Sequence, residues 1–218
     1  MTEVLAELIP LGLAIAISPF SILPAILLLL TARPRATSSS YLAGWVAGIG
    51  TTAAVFIGLA SVLEDSDAPP AWMSWARIIV GLALLVLAAR QWRGRRMPKR
   101  SPARMRSIEA AGPGRALRLG FLLSVVNPKV LLFSVAAGLT IGAAELTSAD
   151  SVVALAVFTA AAASSVAIPV ALYLVLGERM RAPLSAARDW LEANKAVVMS
   201  LVLAVIGVMV LVEGVAAL

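Results

Sequence analysis

The stretch that decides the fold is ISPFSILPAILLLL, residues 17–30, in which Ser18-Pro19 interrupts a hydrophobic run. A second stretch, LSVVNPKVLL (residues 123–132), places Asn127-Pro128 inside another hydrophobic run. Proline has no backbone N–H and its ring clashes with the preceding turn, so each run is predicted to be a broken helix. Inside a membrane, the carbonyls freed by such a break need partners from protein or from a water-filled cavity. Two matched breaks are therefore the best sequence pointer to the central site of a transporter.

The composition is that of a polytopic membrane protein. Of the 218 residues, 61% are hydrophobic and 14% are charged, and the mean hydropathy is +0.95. Soluble domains are about half apolar and about a quarter charged. The chain has no Cys and no His, which excludes disulfide chemistry, imidazole ligation of metals and a His-based catalytic triad. The net charge of +6 comes from basic connecting segments, so no nucleic-acid partner is expected.

Six segments are apolar over the roughly 20 residues that a helix needs to cross the hydrocarbon core. They are Leu5–Leu30, Tyr41–Leu63, Ala71–Gln91, Ala116–Ala143, Val152–Leu176 and Ala196–Ala217. The sequence thus predicts an all-α integral membrane protein with six transmembrane helices, of which the first and the fourth are broken at proline.

The charges of the connecting segments predict the orientation. The segments after the first, third and fifth spans are basic, from Arg33 and Arg35 in the first to Arg188 in the last. The N-terminus and the segments after the second and fourth spans carry acidic residues and no Lys or Arg. The positive-inside rule then places both termini outside and the basic segments in the cytoplasm. The basic segment 92–115 is either a topology signal attracted to anionic head groups or a regulatory, partner-docking linker.

The two breaks also predict an internal repeat. A shift of 109 positions superposes Ser18-Pro19-Phe20 on Asn127-Pro128-Lys129, and it superposes the second span on the fifth. Each half has three spans, an odd number, so the halves cross the membrane in opposite directions, as in inverted-repeat transporters. The predicted domains are residues 1–91 (first three-helix repeat), 92–115 (basic cytoplasmic linker) and 116–218 (second three-helix repeat).

Lys129 is the most unusual residue of the chain, because it lies about 13 residues, or roughly 20 Å of helix, inside its span. A charge at this depth is costly and is expected to face the interior or a wet cavity. In a functional role, its ammonium attracts an anionic group of a substrate. In a structural role, it pairs with carbonyls released by Pro128 or snorkels toward an interface. The candidate substrate-binding residues are Ser18, Pro19, Ser21, Pro24, Ser124, Asn127, Pro128 and Lys129. The polar members contact a head group or satisfy the interrupted backbone, and the sequence leaves both readings open.

Three charged residues near the predicted outer ends, Glu7, Arg77 and Glu213, predict a structural ion pair or an outer gate. No Asp or Glu falls in the central third of any span, so no metal site is expected. No P-loop and no nucleophile–base pair is apparent, so neither a cofactor nor a catalytic site is expected. The pattern Gly44-x-x-x-Gly48 predicts close packing between helices.

Three stretches carry a family resemblance: ISPFSILPAILLLLTARPRATSSSYLAGWVAG (17–48), LGFLLSVVNPKVLLFSVAAGLTIG (119–142) and IPVALYLVLGERMRAPL (168–184). They resemble the GAP family of glycolipid- or peptidoglycolipid-addressing proteins, also called Sap-like, of the LysE exporter superfamily, and the likeness covers most of the chain. The Asn-Pro-Lys element is shared with amino-acid exporters of the superfamily, which typically carry a Pro-Gly-Pro type element in the first span. This chain has Ser18-Pro19-Phe20 there, which favours the lipid-addressing branch.

The resemblance implies a multi-pass protein of the bacterial cytoplasmic membrane that helps to move glycolipids outward, with Ser18-Pro19 and Asn127-Pro128-Lys129 lining the site. We therefore expect a transporter or flippase that moves an anionic glycolipid or lipid-linked saccharide by alternating access around a midplane site. One alternative is an exporter of amino acids or other small amphipathic solutes, and another is a non-transporting accessory protein of a lipid export machinery. Expected partners are membrane lipids, the anionic lipid substrate and lipid-synthesis or export proteins; Gly- and Ala-rich faces also allow a homodimer.

Overall fold

A computed structural model describes residues 1–17, 19–63, 78, 82, 85–90, 92–93, 112–144 and 146–216. The described chain is helical and, within those ranges, contains no strand. Its helices are α1 (Thr2–Ala16), α2 (Pro19–Leu29), α3 (Pro34–Leu63), α4 (Pro113–Val125), α5 (Pro128–Ala143), α6 (Ser148–Leu176) and α7 (Arg181–Ala216). A 3₁₀ turn, Gly177–Met180, joins α6 to α7.

The two proline dipeptides break their spans as predicted. The predicted first span consists of α1 and α2, whose axes are bent by 57°, and the predicted fourth span consists of α4 and α5, bent by 69°. Two further helical stretches can each cross a membrane by length and composition, one within α3 and one beginning with α6. Each bent pair adds one more if it forms a single span. The predicted sixth span lies in α7. Most of the predicted third span, Ala71–Gln91, and of the linker 92–115 lies outside the described residues.

The chain forms two compact units. The first contains Met1–Asp65 and Ser101–Arg188, and the second contains Ser66–Arg100 and Asp189–Leu218. Each unit thus takes chain from both sides of the basic linker. The predicted repeats 1–91 and 116–218 divide the sequence in a different way and stay a prediction.

In the first unit, α3 packs against α4, α5, α2 and α6, while α1 packs against α6 and α5. Glycine makes the α3–α4 contact close: a Cβ on Gly44 would meet the carbonyl of Leu117, and one on Gly120 would meet the carbonyl of Tyr41. A Cβ on Gly48 would overlap the hydroxyl oxygen of Ser124. The Gly44-x-x-x-Gly48 pattern therefore serves helix packing, because only glycine lets the two backbones approach this closely.

Helix α3 runs in the same direction as the α4–α5 pair. Along it, Tyr41 and Gly44 lie against Gly120 and Leu117, and farther along Gly48 lies against Ser124, Ala53 against Gly138 and Ile57 against Gly142. Residue numbers rise together on both sides of this contact, which is the signature of parallel helices.

Helix α6 exposes large apolar side chains along its length. Val152 is 66% exposed, Leu172 is 43% exposed and Val175 is 82% exposed. Soluble proteins rarely present contiguous apolar surface of this kind, whereas lipid chains favour it. The protein is therefore an integral membrane protein.

In the second unit, the described chain includes helical residues 85–90 and the part of α7 that begins at Asp189. Gly207 and Ser200 are buried there, and the Ser200 hydroxyl donates to the Val197 carbonyl at 2.8 Å. Leu201 and Val205, one turn apart, are more than half exposed. This part of α7 thus has one apolar face that the unit itself leaves uncovered.

Candidate functional site

The two helix breaks meet in the first unit. Helix α1 ends at Ala16, and Ile17 forms its C-cap with φ −75° and ψ 56°. The ammonium of Lys129, the second residue of α5, donates a hydrogen bond to the Ile17 carbonyl, with an Nζ–O distance of 3.4 Å. Residues 112 positions apart in sequence are thereby joined, and α1 also packs against α5 as a whole. The end of one interrupted helix therefore lies against the start of another.

Local sequence explains why α5 starts where it does. Asn127 is extended, with φ −73° and ψ 114°, and its Oδ1 accepts a hydrogen bond from the Lys129 backbone N–H at 3.1 Å. Pro128 occupies the first helical position, where a backbone N–H has no partner within the helix and where the fixed φ of proline suits the helix. Asn127 thus caps α5 and fixes the direction in which the new helix leaves the break.

The cap gives a prediction for Asn127. Asn127→Ala removes the acceptor for the Lys129 N–H and is expected to lower the free energy of unfolding by about 1 kcal/mol. Asn127→Ser retains a capping oxygen and is expected to cost no more than a few tenths of a kcal/mol. Heat-induced unfolding of the detergent-solubilised protein measures both. Equal losses for the two variants would contradict the capping role.

The electrostatics at Lys129 combine two opposite helix ends. A cation is favoured at the C-terminus of α1, where carbonyl groups lack intrahelical donors, and disfavoured at the N-terminus of α5. The side chain is half-buried, and an ammonium carries three donors, of which the Ile17 carbonyl takes one. The Ile17 carbonyl thus holds Lys129 in place and leaves the ammonium able to bind an anion at the start of α5. Backbone N–H groups at this helix end also favour negative charge.

Helix α2, which follows the first break, is anchored by a buried tyrosine. The Tyr41 hydroxyl donates to the Ser21 carbonyl at 3.1 Å, and both residues are fully buried. Pro24 lies inside α2, where its missing N–H removes one helical donor. The Tyr41 contact therefore stabilises a stretch whose own helical bonding is interrupted.

The remaining candidates are placed as follows. Ser124 lies in the α3–α4 contact, 1% exposed, and its hydroxyl donates to the Phe121 carbonyl at 2.7 Å. Pro19 begins α2, but its side chain and all of Ser18 lie outside the described residues. In the predicted outer ion pair, Glu7 is exposed on α1, while Arg77 and the side chain of Glu213 lie outside the described residues. In the described part of the chain, no group of three His, Cys, Asp or Glu side chains is close enough to hold a metal ion.

Sequence reasoning missed two members of the site. The partner of Lys129 is a backbone carbonyl, which every residue has, so nothing in the residue type of Ile17 points to it. Tyr41 gave a weak signal, since a tyrosine at the start of a span needs a partner for its hydroxyl once it is buried.

A family model described as Sap, sulfolipid-1-addressing protein, matches residues 8–216 of this sequence. The chain belongs to this family. The Sap match includes both helix breaks and Lys129, and of the first unit's helices it leaves out only the first residues of α1. It confirms the Sap-like resemblance predicted from the sequence. No curated protein and no solved structure matches the chain.

Proposed function

We propose that this Sap-family protein moves an anionic lipid, such as a glycolipid or a lipid-linked saccharide, across the bacterial inner membrane by alternating access. The observation that carries the proposal is the hydrogen bond from the Lys129 ammonium to the Ile17 carbonyl. It joins the two helix breaks and places the ammonium beside them, and transporters build midplane binding sites from the ends of such broken helices. In this mechanism the head group of the lipid binds the donors of the Lys129 ammonium that the Ile17 contact leaves unused.

The contacts within the first unit support the two inverted repeats. Under the predicted correspondence, the α1–α2 pair matches the α4–α5 pair and α3 matches α6. The packing of α3 on α4 then corresponds to that of α6 on α1, and the packing of α1 on α5 corresponds to that of α4 on α2. Each of these contacts has its counterpart, as a pseudo-twofold relation requires.

The direction of the helices and the charges of the connecting segments together support six spans with both termini outside. An odd number of crossings must separate two parallel spans, and α3 runs parallel to the α4–α5 pair. A third span between them meets this requirement, and it agrees with the alternation of basic and acidic connecting segments.

The surroundings of the breaks favour a lipid cargo. Ile17 and Val126, which precede the two proline dipeptides by one residue, are 64% and 71% exposed. Apolar side chains beside a cation suit a molecule whose head group is anionic and whose chains stay in the bilayer. The family description names sulfolipid-1, and a sulfate ester has the charge that Lys129 attracts. We infer that the cargo is a lipid of this class.

The experiment that tests the proposal uses the full chain in proteoliposomes. A fluorescent phosphatidic acid and a fluorescent phosphatidylcholine report movement from the inner to the outer leaflet through quenching by membrane-impermeant dithionite. We expect the anionic lipid to move faster than the zwitterionic one and faster than in protein-free vesicles.

Radiolabelled lysine and leucine loaded into the same vesicles test the alternative of an amino-acid exporter. Export of amino acids without lipid movement would overturn the proposed cargo. If neither moves, although protease protection shows the protein to be correctly inserted, the transport mechanism is wrong and the accessory role takes its place.

A further inference from the structure

A second feature of the first unit that carries charged residues lies at the far end of α2 from the break. An open pocket of about 530 Å³ is lined on one side by Arg33, at the end of the α2–α3 turn, and by Arg35, in the first turn of α3. Its other side is lined by Tyr173, Gly177 and Glu178. The eleven residues of α2 separate the pocket from the first break by roughly 16 Å of helix. By the predicted orientation this end faces the cytoplasm.

The wall that carries the two arginines is held by buried hydroxyl groups. Thr37, 2% exposed, donates to the Arg33 carbonyl at 2.9 Å and also reaches the Leu28 carbonyl at 3.2 Å. Thr31 donates to the same Leu28 carbonyl at 2.7 Å, and Ser38, fully buried, donates to the Pro34 carbonyl at 2.6 Å. These bonds tie the end of α2 to the start of α3, so the backbone that presents the arginines is fixed.

The opposite wall is shaped by a glycine. Gly177 has φ +57° and ψ −132°, a conformation that residues with a side chain rarely adopt, and it turns the chain out of α6. Tyr173, only 2% exposed, then donates its hydroxyl to Glu178 Oε1 at 3.2 Å. Glu178 Oε2 also pairs with Arg181 Nε at 2.7 Å. The Glu178 carboxylate therefore has two partners on its own side of the pocket, the Tyr173 hydroxyl and Arg181.

The charge of the pocket is positive. Within the described ranges, the structure places an ion pair on Glu178 and none on Arg33 or Arg35. Two exposed arginines line the cavity, and its one carboxylate already has a cationic partner. Guanidinium groups bind the tetrahedral oxyanions phosphate and sulfate through two parallel hydrogen bonds, and Glu178 keeps lone pairs that accept hydrogen bonds from hydroxyl groups.

We propose that this pocket binds the phosphate or sulfate ester of an anionic head group before the head group reaches Lys129. The order of the two steps, binding in the pocket and then binding at Lys129, rests on the proposed function. Binding in the pocket is itself independent of transport. Arg33 and Arg35 hold the oxyanion, and the fixed α2–α3 turn positions them. A topology signal needs only the positive charges of these residues, whereas binding needs the planar guanidinium groups in this place.

The test measures binding to the purified full-length protein in detergent by isothermal titration calorimetry. The probes are dioctanoyl phosphatidic acid, inorganic phosphate and inorganic sulfate. We expect the double variant Arg33→Ala/Arg35→Ala to weaken binding at least roughly tenfold. Arg33→Lys/Arg35→Lys preserves the charge and the topology and is expected to weaken binding by a smaller factor. Arg118→Ala, a control that removes one exposed charge from α4 outside the pocket, is expected to change the affinity less than about twofold.

The outcomes distinguish oxyanion binding in the pocket from binding at Lys129 beside the helix breaks. Arginine-dependent binding that persists in Lys129→Ala supports the inference. If phosphatidic acid then binds more tightly than phosphate, the ligand is a lipid head group. If the two bind equally, the ligand is a free oxyanion. Binding that Lys129→Ala abolishes and the arginine variants leave unchanged would overturn the inference while the proposed function stands. Arginine-dependent binding by a protein that moves no lipid in vesicles would leave the pocket in place and overturn the proposed function.

Discussion

Lys129→Ala is expected to reduce the movement of the anionic lipid in proteoliposomes at least roughly tenfold. A hydrogen bond to a charged group contributes about 1.5–3 kcal/mol, and about 1.4 kcal/mol corresponds to a factor of ten. Alanine removes both the contact with the Ile17 carbonyl and the cation that attracts the head group. The loss is expected to be larger for phosphatidic acid than for phosphatidylcholine, because the zwitterionic head group carries no net charge.

Two further variants separate charge from structure at this position. Lys129→Arg keeps the cation and is expected to retain part of the activity, since the guanidinium differs from the ammonium in shape and reach. Lys129→Met keeps most of the chain length without charge and is expected to behave like Lys129→Ala. Full activity of a folded, correctly inserted Lys129→Ala protein would show that the ammonium only joins the two breaks and does not bind the cargo.

Gly48→Leu is expected to have the largest effect on folding, a loss of about 3 kcal/mol or more in the free energy of unfolding. A Cβ at position 48 would overlap the Ser124 hydroxyl oxygen and lie 3.0 Å from the Phe121 carbonyl oxygen. The obstructing atoms include backbone of α4, which cannot move unless the two helices separate. We therefore expect little folded protein in the membrane and a lower midpoint of heat-induced unfolding in detergent.

Gly58→Leu is the matched control on the same helix, because among the described residues no atom lies within 4 Å of a Cβ at this exposed position. It is expected to leave stability nearly unchanged. A rescue experiment sharpens the result: Gly48→Ala is expected to destabilise, and adding Ser124→Gly is expected to recover part of the loss, since the hydroxyl is the nearest obstruction. Equal stability of Gly48→Leu and Gly58→Leu would contradict the packing of α3 on α4.

The sequence alone predicted the features that depend on local chemistry. The breaks at Ser18-Pro19 and Asn127-Pro128 follow from the missing N–H of proline and appear in the structure at the predicted positions. The apolar spans follow from hydropathy, and among the described residues the structure has two helices, or four with the bent pairs, that can cross a membrane. Gly44-x-x-x-Gly48 predicted close packing because glycine is the residue that allows it. The family was also evident from the sequence, because its motifs are contiguous stretches.

Only the tertiary structure decided which partner each polar group meets. Lys129 was singled out from its depth, but the carbonyl that it contacts belongs to a residue 112 positions away and has no signature in the residue type of Ile17. Ser124 was grouped with Lys129 by its place in the sequence, yet the rotation of α4 turns its hydroxyl toward α3. Arg33 and Arg35 looked like orientation signals until the fold placed the end of α6 opposite them and made a pocket. The physical reason is the same in each case: local sequence sets where helices start, end and bend, whereas their packing sets which way the side chains face.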